Sequence, residues 1–177
     1  LERRRRTILR RRLNQASSTM DHHSLDSIDL RILSELQADG RITNVELSKR
    51  AKITAPPCLR RMRALEKAGY IKGYHADLDG KLLGYEVSAF VFVGLASQAD
   101  ADLKRFEEQA RSWPQVRECY MLSGEVDFLL KCVANDLSSF QSFITDTLTA
   151  AKNVASVKSS LVIHPSKREP GVPVDVK

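Results

Sequence analysis

The spacing of apolar residues changes once along this chain, and this change constrains the fold more than any other feature. In residues 25–36, apolar side chains recur every three or four positions, which is the period of an amphipathic helix. In residues 87–95 they alternate with a period of two, which is the period of a β-strand. The sequence therefore predicts a helical module and an α+β module, joined by a connector at residues 79–84.

Two amphipathic helices are predicted at the start of the helical module. The first ends at Asp39-Gly40, since glycine is a common helix terminator. The second covers Asn44 to Ala51 and is expected to turn Val45 and Leu47 towards the core.

A third helix and a β segment complete this module. Thr54 is the expected N-cap, the prolines that follow are tolerated in a first helical turn, and Gly69 ends the helix after Ala68. Residues 70–78 are predicted to form a β segment that suits a wing. Three helices followed by a hairpin predict a winged helix-turn-helix.

The second module is predicted to have the element order β-α-β-β-α-β. The elements are a strand at 87–95, a helix around 103–113, strands at 116–122 and 126–133, a helix at 137–148 and a strand at 154–163. This order is the ferredoxin-like arrangement, in which both helices cover one face of an antiparallel sheet. The predicted fold class is therefore α+β, with a winged helix-turn-helix followed by a ferredoxin-like domain.

The first predicted strand is apolar on both faces, whereas the helices of this topology cover only one. Either the phenylalanine row or the valine row would then face water, and such patches usually mark an interface. We therefore predict a homodimer. The candidate interface residues are Val87, Phe90, Val91, Phe92 and Val93.

The net charge of +6 lies in the first 20 residues, which hold seven arginines and one glutamate. We expect residues 1–20 to form a basic, disordered extension. Three interpretations stay open: a DNA-binding arm, a mitochondrial-type presequence, or upstream sequence that is not normally translated. The last is favoured, because Met20 is a plausible start, and the arm is second.

A second basic cluster points to nucleic acid. Between Arg41 and His75, nine Lys and Arg residues face two glutamates, as expected for a small DNA-binding module. On the third helix, basic side chains lie opposite the apolar stripe, where arginine can contact guanine or phosphate. The alternative is that they pair with Glu66 and solvate the helix. The candidate DNA-binding residues are Pro57, Arg60, Arg61, Arg63, Lys67, Thr43 and Lys49.

Three motifs follow one another along the chain. The first runs from Leu25 through Asp29 to Arg41, the second from Thr54 to Tyr74, and the third is the segment 123–130, SGEVDFLL. Together they resemble the Lrp/AsnC (leucine-responsive regulatory protein) family over about residues 25–167. The resemblance implies a DNA-binding domain at 21–79, a ligand-sensing RAM domain at 80–167 and a tail at 168–177.

The resemblance also implies partners and a second site. Family members dimerise through the RAM sheet, often form tetramers or octamers, and commonly bind amino acids near the glycine turn. Backbone N–H groups and Ser123 would take a carboxylate, and Asp127 or Glu125 an ammonium group. The alternative is a tight hairpin in which glycine supplies a positive φ. The candidate effector-binding residues are Ser123, Gly124, Glu125, Asp127 and Ser159.

Other classes of protein are disfavoured. No apolar run is long enough to span a membrane, and three cysteines without a C-x-x-C pair fit a reducing cytosol rather than a zinc site. His75 and His164 lack acid–base or metal-ligand spacing, which weakens the alternative of a tetrapyrrole (siroheme) decarboxylase on the same fold. We therefore predict a cytoplasmic DNA-binding transcriptional regulator, not an enzyme, with no metal and no cofactor.

Overall fold

The computed structural model describes residues 24–176 of the chain. Residues 1–20, for which we expect a basic extension, lie outside the described part. The described residues form two compact units. The helical unit comprises residues 24–77 and 166–176, and the sheet unit comprises residues 78–165.

The helical unit is built from three helices. They are α1 (Ser27–Ala38), α2 (Asn44–Arg50) and α3 (Ala55–Lys67). Their inward faces form one hydrophobic core, and its buried members are Ile32, Leu36, Leu47, Ala51, Cys58 and Leu65. The apolar residues that recur with helical period thus pack together in a three-helix unit, as predicted.

Local signals set the helix boundaries. The Asp26 carboxylate caps α1 by accepting the N–H groups of Ile28 and Asp29. Between α2 and α3 the chain turns at Lys52, which takes a left-handed conformation with φ 56°. Thr54 occupies the N-cap position of α3 as predicted, although its side chain makes no capping hydrogen bond.

Two details of this unit differ from the sequence prediction. Val45, expected to face inward, is 58% exposed, because Leu47 and Ser48 are the residues of α2 that reach the core. Residues 71–78 contain no regular strand within the described part of the chain, so the predicted wing lacks a β-ladder. An isolated two-stranded ribbon gains little stability in water, and only Ile71 of this segment packs against the core.

The C-terminal segment belongs to the helical unit. The Gln37 side chain donates from Nε2 to the Val172 carbonyl at 2.7 Å and accepts the Val172 N–H on Oε1 at 3.2 Å. Arg168 also pairs with Asp77 at 2.7 Å. The described part of the predicted tail, residues 168–176, is thus bound to α1 through Val172.

The sheet unit has the predicted β-α-β-β-α-β order. Its elements are β1 (Val87–Leu95), α4 (Asp100–Ser112), β2 (Val116–Met121), β3 (Phe128–Ala134), α5 (Leu137–Ser142), which continues as a π-helical turn (Phe143–Leu148), and β4 (Val154–Leu161). The strands form one antiparallel sheet in the order β2-β3-β1-β4. Phe106, Phe140 and Phe143 from the helical layer are buried with β1 and β3 in one core.

The two faces of β1 differ in burial, because the helices cover only one of them. Val91 and Val93 are fully buried in the core, and Val87 packs against the same core. The prediction that these three valines face a partner is therefore wrong, because the helices cover their row. Side chains alternate along a strand, so Phe90 and Phe92 lie on the opposite side of the sheet. We call this side the open face, and it also carries Glu118, Tyr120, Leu129, Lys131, Val133, Ser156, Lys158 and Ser160.

Candidate functional site

The exposed side of α3 is basic. Pro56, Arg60, Arg63 and Lys67 are all exposed and recur at steps of four, three and four residues, which places them along one side of the helix. We call these four residues the α3 face. Arg60, Arg63 and Lys67 have no ion-pair or hydrogen-bond partner within residues 24–176. The alternative in which these basic residues pair with Glu66 therefore has no support in the structure.

The proline at the edge of this face differs from the prediction. Pro57 is half-buried, whereas Pro56 is exposed and in phase with the basic residues. The signal was available in the sequence, because Pro56 precedes Arg60 by one helical turn.

Two predicted DNA-binding residues lie on or next to α2. Lys49 is exposed in the last turn. Thr43 is the N-cap, and its hydroxyl oxygen accepts the Glu46 N–H at 3.2 Å. The neighbouring Arg50 pairs with Glu35 and Glu46 at 3.0 and 3.1 Å, which raises the pKa of its guanidinium.

Arg61 forms its ion pairs within the helical unit. Its Nη1 donates to Asp26 Oδ2 and to Asp29 Oδ1, both at 2.8 Å. These hydrogen bonds, first to Asp29 and then to Asp26, raise the pKa of the guanidinium. Arg61, predicted from sequence to contact DNA, lies on the flank of α3, where two carboxylates of α1 bind it.

The glycine turn, residues 123–127, joins β2 to β3. Ser123, Gly124 and Glu125 are exposed. Asp127 fastens the turn to β1, since its Oδ2 accepts the Leu95 N–H at 2.7 Å and its own N–H donates to the Val93 carbonyl at 3.0 Å. The structure therefore presents Glu125, more than Asp127, as the accessible carboxylate of the turn.

Gly124 has no requirement for glycine within its own chain. Its φ is not positive, so the alternative in which this glycine supplies a positive φ to a tight hairpin has no support in the structure. A Cβ built on Gly124 would meet no atom of the described chain within 4 Å. Neither backbone conformation nor packing in one subunit explains the residue.

Ser159 is not brought to the glycine turn within one subunit. It pairs with Val91 on β1, and β1 separates β4 from β3. Ser156 lies nearer to the end of β1 that Asp127 fastens, because it pairs with Gly94.

The open face combines apolar and charged side chains. Phe90 is exposed and Phe92 half-buried, beside Leu129 of the neighbouring strand. Across the strands, Lys131 donates to Glu118 at 2.7 Å, and the Tyr120 hydroxyl donates to the same carboxylate at 2.5 Å. This hydrogen bond raises the pKa of Tyr120.

The three cysteines are free thiols. Burial raises the pKa of Cys119 to about 11 and that of Cys132 to about 12, which favours the protonated thiol at both positions. No group of three or more His, Cys, Asp or Glu side chains in residues 24–176 is placed to hold a metal ion. The helices of this same range include none that is long and apolar enough to cross a membrane.

Comparison with known proteins assigns the two units. Residues 25–72 match the winged helix-turn-helix DNA-binding model, and residues 88–172 match the Lrp/AsnC ligand-binding domain. The leucine-responsive regulatory protein of Rhizobium meliloti is 57% identical over 143 residues, which is 81% of this chain and 92% of that protein. The chain belongs to the Lrp/AsnC family.

Other Lrp/AsnC members extend the comparison. The leucine-responsive regulatory protein of Escherichia coli K12 is 38% identical over 144 residues, covering 81% of this chain and 88% of that one. A transcriptional regulator of Neisseria meningitidis, solved as a complex with L-Met, superimposes with a TM-score of 0.82 at 37% identity, covering 86% of this chain and 98% of that one. These relatives are named as regulators, which confirms the prediction of a DNA-binding transcriptional regulator and gives no support to the decarboxylase alternative.

Proposed function

We propose that this Lrp/AsnC regulator contacts duplex DNA through the α3 face and that an amino acid bound at the glycine turn controls its assembly. The observation that carries the proposal is the row of Arg60, Arg63 and Lys67, exposed together on the third helix of a helix-turn-helix. A DNA-binding protein of this kind works where the chromosome lies, which for a bacterial regulator is the cytoplasm.

The chemistry of the α3 face suits a major groove. Arginine can donate two parallel hydrogen bonds to guanine, and each such contact contributes about 1–3 kcal/mol of discrimination between bases. Lys67 and Lys49 suit phosphate, because phosphate contacts fix the register without reading sequence. Thr43, at the N-terminus of α2, completes the set as a phosphate donor.

The glycine turn suits the head group of an amino acid. Gly124 leaves space that its own chain does not fill, and Ser123 and Glu125 are exposed beside it. A hydroxyl and backbone N–H groups bind a carboxylate, while the Glu125 carboxylate binds an ammonium group. The Neisseria relative, solved with L-Met, supports an amino acid as the class of effector.

The open face supports a homodimer. Phe90 and Phe92 form an apolar surface that the helices of the sheet unit do not cover. A second copy of the chain would bury this surface, and further contacts between dimers would give tetramers or octamers. Ser159 pairs with Val91, on the side of the sheet opposite the open face, so it would contribute from a neighbouring copy through the contacts between dimers.

Control follows from differential binding. A dimer presents two copies of α3 to successive major-groove faces of a pseudo-palindrome. An effector that binds one assembly more tightly than another shifts the population towards it and so changes the spacing of these helices.

The DNA-binding proposal is tested with a duplex selected by the wild-type protein from a random library, and with a scrambled duplex of equal length. Arg60→Ala and Arg63→Ala are each expected to weaken binding to the selected duplex about tenfold to a hundredfold, because each removes one base or phosphate contact. Fluorescence anisotropy over a salt series measures affinity and salt slope. Arg50→Ala is the matched control, since Arg50 is paired within the helical unit. Unchanged affinity in both α3 variants would overturn the assignment of the α3 face.

A further inference from the structure

Arg61 joins the middle of α3 to the first turn of α1. One nitrogen, Nη1, donates to a carboxylate oxygen of Asp26 and to one of Asp29, both at 2.8 Å. The Asp29 side chain is only 8% exposed, and that of Arg61 is 32% exposed. Arg61 is therefore drawn away from the α3 face although Arg60 precedes it directly.

The same two carboxylates also build the start of α1. Asp26 Oδ1 accepts the N–H groups of Ile28 and Asp29 at 3.0 and 2.8 Å. Asp29 Oδ2 accepts the Asp26 N–H at 3.4 Å. Each carboxylate thus places one oxygen on the backbone of α1 and the other on Arg61. The hydrogen bond from the Asp29 N–H is the main cause that lowers the pKa of Asp26, with Arg61 adding to it.

This arrangement fixes the rotation of α3 about its own axis. A rotation that carried Arg61 away would leave the nearly buried Asp29 carboxylate without its charged partner, and an unpaired buried charge is strongly unfavourable. Successive residues of a helix are 100° apart, so any rotation that moves Arg61 also moves Arg60 and Arg63.

The local charge argues against a DNA contact by Arg61 itself. Together with Asp26 and Asp29, the guanidinium forms a cluster with one positive and two negative charges. Such a cluster does not attract phosphate, whereas the exposed and unpaired arginines of the α3 face do.

We infer that Arg61 is a positioning residue, which holds α3 at the rotation that turns Arg60 and Arg63 towards DNA, and that it does not read DNA. The inference rests on the proposed role of the α3 face. It predicts that the acidic partners, which lie on α1, matter for DNA recognition as much as Arg61 does.

The test compares Arg61→Ala, Arg61→Lys and Asp29→Asn in the full chain, with the selected and scrambled duplexes defined above. Arg61→Ala and Asp29→Asn are each expected to lower the ratio of selected to scrambled affinity about tenfold, the size expected when one base contact is misplaced. The salt slope stays at the wild-type value, because no phosphate contact is lost. Arg61→Lys restores part of the ratio, since lysine still places a cation between the two carboxylates.

A direct contact between Arg61 and DNA would give a different set of results. If Arg61 contacted DNA, Arg61→Ala would reduce the salt slope by about 0.9, and Asp29→Asn would tighten binding by releasing the guanidinium. Either outcome, or an unchanged ratio in both variants, overturns the inference.

Two controls distinguish the positioning role of Arg61 from a general loss of stability and from a failure of the proposed α3 face. Arg50→Ala removes another ion pair between α2 and α1 and should leave the ratio unchanged, which excludes a general loss of stability. All variants are assayed below the onset of their thermal unfolding. A loss of binding in Arg60→Ala, without the predicted pattern at Arg61 and Asp29, refutes the positioning role and leaves the proposed α3 face intact. No loss in either Arg60→Ala or Arg63→Ala refutes the α3 face itself.

Discussion

Gly171 lets the C-terminal segment lie against α1. Its φ is +66°, a conformation that side chains other than glycine rarely adopt. A Cβ at this position would lie 2.1 Å from Gln37 Oε1, which no real contact allows. The paired hydrogen bonds between Gln37 and Val172 therefore depend on the glycine next to them.

Gly171→Ala and Gln37→Ala are expected to release this segment. Each hydrogen bond contributes about 0.5–1.5 kcal/mol, so losing both raises the population of the detached segment about fivefold to a hundredfold. The rate of tryptic cleavage next to Lys167 and Arg168 should rise in proportion, since proteolysis follows the open population. Gly69→Ala is the matched control, because Gly69 has φ +79° but no neighbour within 4 Å. Equal cleavage rates in Gly171→Ala and Gly69→Ala would contradict the role of the Gln37 contact.

At the scale of elements, β1 organises the sheet unit. It pairs with both β3 and β4, and its valine row fills the core under the helices. Its phenylalanine row lies on the open face, which the helices of the sheet unit do not cover. The same strand thus serves the core of one subunit and, in our proposal, the contact between two.

Phe92→Asp is expected to dissociate the dimer. Two carboxylates buried in a symmetric interface cost about 3 kcal/mol or more, which raises the dimer dissociation constant at least about a hundredfold. Sedimentation velocity over a concentration series measures the change in mass. Leu137→Asp introduces the same charge at an exposed apolar residue of α5, and should leave the assembly intact. A wild-type mass for Phe92→Asp would place the interface elsewhere.

At the scale of the whole molecule, residues 24–176 pass between the two units at two places. The chain leaves the helical unit after residue 77 and returns to it at residue 166. The sheet unit holds the glycine turn, and the helical unit holds the α3 face. In our proposal, the assembly of subunits carries the response of DNA binding to the effector.

Gly124→Arg is expected to abolish the response to the effector without unfolding the sheet unit. A Cβ built at this position meets no atom of the described chain within 4 Å, so the substitution should be accepted by the fold and should fill the space proposed for the ligand. A thermal-shift screen of the standard amino acids reads the response, because a ligand that binds only the folded state raises its stability. The single tryptophan, Trp113, packs edge-on against Phe106 and Phe143 and reports whether this unit stays folded.

Gly124→Ala is the graded control for this experiment. It should fold like the wild type and show a weaker response than wild type but a stronger one than Gly124→Arg. An unchanged response in Gly124→Arg would remove the glycine turn from the effector site.

Much of this architecture follows from local sequence signals. Helical spacing predicted α1 to α3, and strict alternation predicted β1, because a side chain's direction depends on the period of its own element. The order of the elements then restricted the sheet unit to one common topology. The basic residues of the α3 face followed from the same helical geometry.

The errors share a different cause. Which row of β1 is covered depends on the side on which α4 and α5 pack, and β1 itself is apolar on both sides. The predictions for Val45 and for the wing were wrong for a similar reason. Whether a side chain is buried, and whether a segment forms a strand, depends on the elements that pack against it. The ion pairs of Arg61 could not be predicted from sequence either, because its partners, Asp26 and Asp29, are more than thirty residues away.

The sequence alone determined the elements, their order and the family, because periodicity, helix caps and motifs can be recognised within short stretches of consecutive residues. Tertiary structure decided which arginines are available, which β1 row is covered and that residues 166–176 rejoin the helical unit. Those outcomes depend on contacts between residues that are far apart in sequence. A charged or apolar side chain meets such a partner only when the chain folds.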